Sequence, residues 1–193
     1  TIVTAIREGR RIFDNIHKTI SFLLSSNAGE VIAILAATII GWRFLSPVHI
    51  LWINLVTDTF PALALGVEPG ESNIMKRAPR DSRKALLGGG EWLSIGFMGL
   101  MEAVVALAAY AIGFFAFNDG TVATTMAFVT LAAAQLFASL GFQSESSSIF
   151  SIHPKEHPAL WLSFFGSLAL QLAVVLIPPI NSLFKLTTLN GLQ

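Results

Sequence analysis

Apolar residues fall into five long runs along this chain, separated by short polar breaks. Their helical spacing predicts helices at about 10–41, 48–66, 91–117, 121–142 and 159–177. Each is close to or above the roughly 20 residues that cross a hydrocarbon layer about 30 Å thick. The first pattern is the longest. Ile20 to Trp42 is apolar, and the periodicity reaches back through Arg10, Arg11, Phe13, Ile16 and His17. At about 1.5 Å per residue, Gly9 to Gly41 spans roughly 50 Å. Its N-terminal end is therefore expected to project into water, with His17 solvated there. The breaks carry turn chemistry. A loop at 67–90 holds Pro69, Pro79 and Gly88-Gly89-Gly90, which reads as a hinge. Asn118-Asp119-Gly120 reads as a tight turn, 143–158 as a Ser-rich loop, and Pro178-Pro179 as the stop of the last run. No internal repeat is evident. The fold class expected is all-α: a polytopic membrane helix bundle with five transmembrane helices, one domain across 1–193.

Composition agrees with that pattern. Hydrophobic residues make up 53% of the chain, charged residues 12%, and mean hydropathy is +0.67. The expected surroundings are a lipid bilayer, and no nucleic-acid partner is expected. With no cysteine, disulfides and thiolate metal sites are excluded. Net charge is zero, but the basic residues are unevenly placed. If all five runs cross, Arg7, Arg10, Arg11, Lys18, Lys76, Arg77, Arg80, Arg83, Lys84 and Lys155 share one side, and Arg43 and Lys185 the other. The positive-inside rule then predicts a cytoplasmic N-terminus and 67–90 loop, and an outside C-terminus. Trp42, Trp52, Trp92 and Trp161 lie near run ends, as an aromatic belt would. Thr1-Ile2-Val3-Thr4-Ala5-Ile6 shows neither an initiator Met nor a basic leader and reads as the interior of a longer polypeptide. An odd number of runs before Leu186–Gly191 suggests a further span.

Two of the runs contain carboxylates and carboxamides. Ser25-Ser26-Asn27-Ala28-Gly29-Glu30 lies in the first, and Trp52-Ile53-Asn54-Leu55-Val56-Thr57-Asp58 in the second, three residues before Pro61. A charge at mid-bilayer costs roughly 2.5–3.5 kcal/mol on insertion scales, so its usual reason is an ion or proton path. Asn27 and Glu30 are three apart and Asn54 and Asp58 four apart, so each pair shares a helix face. With Thr57, and with Gln135 from the fourth run, they offer only oxygen. That suits Ca²⁺, Mg²⁺ or an alkali cation rather than zinc or copper. Pro61 removes a backbone donor and is expected to bare carbonyls around Thr57 and Asp58, as in the broken helices of transporters. Asn27 or Asn54 taken alone reads equally well as a helix-packing polar residue. Glu102, isolated in the third run, reads as a protonated or interhelically bonded carboxyl rather than a ligand, and Gln171 as an interhelical hydrogen bonder. The basic 67–90 loop could attract anionic lipid or dock a cytoplasmic domain. A secondary transporter, a channel or a membrane scaffold remains open at this level.

Particular stretches resemble P-type cation-transporting ATPases, most closely the sarcoplasmic reticulum-type calcium pumps. Glu8-Gly9-Arg10-Arg11-Ile12-Phe13-Asp14-Asn15-Ile16 is similar to the stalk of that family's fifth membrane helix, and Ser25 to Val31 to its ligand segment. Leu51 to Asp58 with Pro61-Ala62-Leu63-Ala64-Leu65-Gly66 resembles the sixth helix, and Ile74-Met75-Lys76-Arg77-Ala78-Pro79-Arg80 the next cytoplasmic loop. The five runs then match the fifth to ninth helices. The resemblance implies that Asn27, Glu30, Thr57 and Asp58 are ligands of a first calcium site, and Asn54 and Asp58 of a second. Gln135 stands where two-site pumps carry a Glu. It implies Ca²⁺ as the transported ion, moved out of the cytoplasm; the membrane expected is the cell (plasma) membrane. ATP and Mg²⁺ would act only in the full-length protein. The phosphorylated Asp-Lys-Thr-Gly-Thr motif does not occur in this sequence, so the chain alone is expected to lack ATPase activity. Its partners would be the N-terminal membrane helices and the cytoplasmic phosphorylation domain of the same polypeptide. Sodium–potassium and proton pumps share the architecture but typically carry Asp where Asn54 stands.

Overall fold

A computed structural model describes residues 1–70, 74–78, 86–143 and 157–189. Among them the secondary structure is entirely helical, and five helices are long and apolar enough to cross a membrane. Pro79, Arg80, Arg83, Lys84, Ser144-Glu145, Lys155 and Asn190-Gly191 lie outside the described residues.

Helix α1 runs Ile2–Ile40. Its 39 residues extend about 58 Å, further toward the N-terminus than the apolar pattern alone predicts. It ends where Gly41 takes φ 85°, a left-handed turn that glycine adopts without a Cβ clash. The Gly41 N–H donates to Thr38 O (3.1 Å) and the Trp42 N–H to Ala37 O (2.8 Å), which closes off the last free carbonyls.

Helix α2, Pro47–Gly66, is not a uniform α-helix: its middle, Ile53–Asp58, is a π-helix. Pro61 has no N–H to offer the turn before it. The sequence pointed to bared carbonyls here; the chain instead widens by one residue per turn, and hydroxyls cover several of those carbonyls. Thr57 Oγ1 donates to Ile53 O (2.9 Å) and Thr59 Oγ1 to Asn54 O (2.8 Å). Ser167 Oγ, on a distant helix, donates to Val56 O (2.8 Å).

Helix α3 is Gly89–Phe117. Two of the three glycines read as a hinge are its first residues. Gly88 precedes it in extended conformation, its N–H donating to the Glu91 carboxylate. The Asn118–Gly120 turn forms as expected, with Asn118 at φ 52° and Asp119 Oδ1 accepting from the Thr121 N–H (2.7 Å) to start α4, Gly120–Gly141. Helix α5 is Pro158–Leu176, and Pro178-Pro179 both end it and begin a short α6, Pro178–Leu183. Proline fits there because a helix's first turn needs no N–H from it.

The long helices alternate in direction. Asn15 of α1 reaches Gly66 O at the end of α2 and Glu68 O just past it, and Lys18 reaches Gln143 O just past α4. At the opposite end Thr124 of α4 donates to Arg43 O (3.1 Å), and His49 of α2 bonds Phe184 O (2.7 Å). The described basic residues Arg7, Arg10, Arg11, Lys18, Lys76 and Arg77 therefore gather at one end, and Arg43 and Lys185 at the other. Small side chains make the close packing: Ala33, Ala103, Ala106, Ala123, Ala127 and Ala132 are each fully buried. Helix α4 is central, with 56% of its apolar window buried against 28% for α3. Leu93, Phe97, Phe115, Leu162 and Phe165 face outward.

One sequence reading changes here. His17 is not solvated; its Nε2 lies 2.8 Å from Glu91 Oε1 and its side chain is 14% exposed. Trp52 is also bonded inside the bundle: its Nε1–H donates to Gln171 Oε1 (3.0 Å), which is the interhelical bond expected of Gln171.

Candidate functional site

Three helices converge on Glu30. Its Oε2 accepts from Asn54 Nδ2 of α2 (3.0 Å) and its Oε1 from Gln135 Nε2 of α4 (3.1 Å). Gln135 turns its own Oε1 to the Thr57 hydroxyl (3.0 Å), which shares its proton with Ile53 O. The π-turn makes this possible, since it carries Asn54, Thr57 and Asp58 in one widened segment. Glu30 is 3% exposed, and Gln135 and Thr57 are fully buried. Asp58 is 1% exposed, and neither of its carboxylate oxygens has a partner.

Of the six residues expected to bind metal, the structure joins Glu30, Asn54, Thr57 and Gln135 in one hydrogen-bonded chain. Asp58 stands within electrostatic reach of Glu30. Asn27 is not brought in: its side chain is exposed and donates to Leu23 O of its own helix (2.7 Å). Three positions along a helix turn about 300°, which leaves Asn27 some 60° off the Glu30 direction, on a face nothing in the described chain covers. Among the described residues no three His, Asp or Glu side chains stand together at metal-holding spacing. The oxygens are of the hard type a divalent or alkali cation takes. Both Glu30 oxygens currently hold amide donors, which is a preorganised acceptor rather than a closed cage.

The sequence points to Glu102 as a neutral carboxyl or one bonded between helices. It is 5% exposed and makes no such bond: both oxygens are buried without a partner.

A second polar network, at the loop-bearing end, was missed. Lys18 Nζ donates to Gln143 O (2.6 Å), Glu68 pairs with His157, and Asn15 Nδ2 donates to Glu68 O (2.8 Å). Burial pushes the Glu68 carboxyl above its ordinary value of 4.5, opposed by His157 and Lys18. The signal available was Asn15 and Lys18 on one face of α1, three residues apart just before the apolar run. Beside this network Arg10 Nη1 donates to Ile74 O and Arg77 O (2.8 Å each), and Arg77 pairs with Asp14 (3.0 Å). The described part of the 67–90 loop is thus fastened to α1.

Comparison with known proteins shows the family. The family model described as cation transporting ATPase, C-terminus, matches residues 43–193, which takes in α2 to α6. Calcium-transporting ATPase 1 of Bacillus cereus is 37% identical over 98% of this chain and 23% of its own length. The calcium-transporting ATPase of Bacillus subtilis is 37% identical over 95% of this chain and 21% of its own. That of Plasmodium falciparum is 30% identical over 99% and 19%. These matches include α1. The chain spans about a fifth of the length of these curated relatives.

Proposed function

The chain belongs to the family of cation-transporting ATPase C-terminal regions, and on that premise we propose that it supplies the intramembrane calcium site of an ATP-driven pump. It is an integral membrane protein with five candidate spans and part of the membrane domain of a P-type cation-transporting ATPase. The carrying observation is Glu30, buried between three helices with two carboxamides aimed at its oxygens and Asp58 beside it. Two carboxylates neutralise one divalent ion, and Asn54, Thr57 and Gln135 add neutral oxygens of the kind calcium accepts. The names of the relatives from Bacillus and Plasmodium support calcium as the cargo.

In this reading Asn27 completes the site from the open face of α1 once the remaining helices of the polypeptide cover it. The gathering of described basic residues at the loop-bearing end supports a cytoplasmic N-terminus and loop, and with that orientation the cargo leaves the cytoplasm. The Arg10 and Arg77 contacts hold the described part of that loop against α1, which favours a docked phosphorylation domain over bound lipid. ATP and Mg²⁺ act on that domain, not on this chain, which by itself does not hydrolyse ATP.

The test is phosphoenzyme formation from ATP by the full-length protein across Ca²⁺, Mg²⁺, Mn²⁺, Na⁺ and K⁺. Calcium alone should drive it at micromolar concentration, and Asp58→Asn should abolish that dependence. Intact calcium dependence in Asp58→Asn, or activation by Na⁺ or K⁺ without calcium, would sink the proposal.

A further inference from the structure

Glu102 is left without a role by everything above. It is wedged against α1 at a point where two glycines let the helices meet. A Cβ on Gly29 would sit 2.8 Å from Glu102 Oε2, and a Cβ on Gly99 would sit 2.8 Å from Ser25 O and 2.9 Å from Gly29 N. Glu102 therefore abuts the residue just before Glu30. It is within electrostatic reach of Glu30 and of Asp58. The two oxygens of Glu30 hold amides, whereas the four oxygens of Asp58 and Glu102 are buried and hold nothing. Among the described residues no basic side chain pairs with any of the three. Gln135, the fourth side chain at this level, is neutral.

We propose that Glu102 is a third anionic residue of the cation site and sets its affinity by charge. The proposal rests on the reading of the Glu30–Asp58 cluster as a cation site. The three carboxylates do not converge on one point, so Glu102 acts through the field it places there. In a low-dielectric interior a unit charge is felt well beyond contact distance, and doubly so by a divalent ion. Helix α3 thereby restores the negative charge that α4 lacks with Gln135. The close Gly29–Gly99 approach keeps that charge against α1 and away from lipid.

The test measures the calcium concentration that half-saturates phosphoenzyme formation in the full-length protein. Glu102→Gln should raise it by about tenfold or more, and Glu102→Asp, which keeps the charge, by no more than about threefold. Adding Gln135→Glu to Glu102→Gln should recover most of the loss. Melting of each purified variant in detergent reports its fold. A folded Glu102→Gln protein with the wild-type calcium requirement overturns the proposal, and so does a Glu102→Asp protein as impaired as Glu102→Gln. Wild-type phosphorylation indifferent to calcium would instead overturn the reading of the cluster on which this one rests.

Discussion

At the loop-bearing end of the bundle, Lys18, Glu68, Gln143 and His157 are buried against one another, and the charged groups face opposite charges or backbone carbonyls. In the membrane interior Glu30 faces amides, and Asp58 and Glu102 face nothing that donates. The sets differ in completeness: one oxygen each of Glu68 and Gln143 stands open in the first, against both oxygens of Asp58 and of Glu102 in the second. A buried polar group left unpaired costs about 1–3 kcal/mol, and more when charged. A network that pairs its charges and closes most of its bonds holds the fold together, whereas one that leaves whole carboxylates open is suited to a ligand from outside. The two regions should therefore answer mutation in opposite currencies: stability at the end, cation affinity in the middle.

The largest contrast is expected from Glu30→Gln. It removes the charge on which two amides converge and should weaken calcium affinity by about a hundredfold, about 2.7 kcal/mol. Its melting temperature should stay level or rise, because a charge has left an apolar interior. Calcium titration and detergent melting on one preparation check both halves, and a large loss of stability would erase the distinction. Next is Lys18→Met, which strips the donor from Gln143 O and a cation from beside Glu68. About 2 kcal/mol should be lost, with the melting temperature down by roughly 4–8 °C and calcium affinity unmoved. The smallest effect concerns pH. The raised Glu68 value means that the folded state holds this proton more tightly than the unfolded chain does. Its contribution to stability is full below the ordinary value of 4.5 and fades as pH rises through the raised value. Glu68→Gln, a permanent mimic of the protonated form, should flatten that decline in a melting series above pH 4.5. An unchanged slope would show that Glu68 does not sense pH there.

The sequence made the spans legible because hydrophobic runs and turn residues are local signals. Gly41, Asn118 and Asp119 behave as such residues do wherever they occur. Glu30, Asn54, Thr57 and Gln135 could be nominated because polar side chains in lipid stand out one at a time. What could not be read was direction. Asn27 shares a face with Glu30 only to within a sixth of a turn, and packing decides which side of that angle is covered. The solitude of Glu102 depends on Gly29 meeting Gly99, residues 70 positions apart. The pairing of His17 with Glu91 likewise spans 74 positions. Pro61 announced a disturbed turn, but its π form also depends on hydroxyls at Thr57, Thr59 and Ser167 that catch the displaced carbonyls.

That widened turn also constrains how the gene can change. A π-turn holds one residue more than the α-turn it replaces. Deleting the codon of Leu55 or Val56 would let that turn tighten toward the α form, with Pro61 still withholding one N–H from it. The widened turn absorbs the extra residue, so the helix beyond it would keep its facing and the span would stay long enough for the bilayer, but the spacing from Asn54 to Asp58 would fall from four positions to three. Relatives whose second segment is one residue shorter here are therefore expected to keep the fold and present a differently spaced set of oxygens.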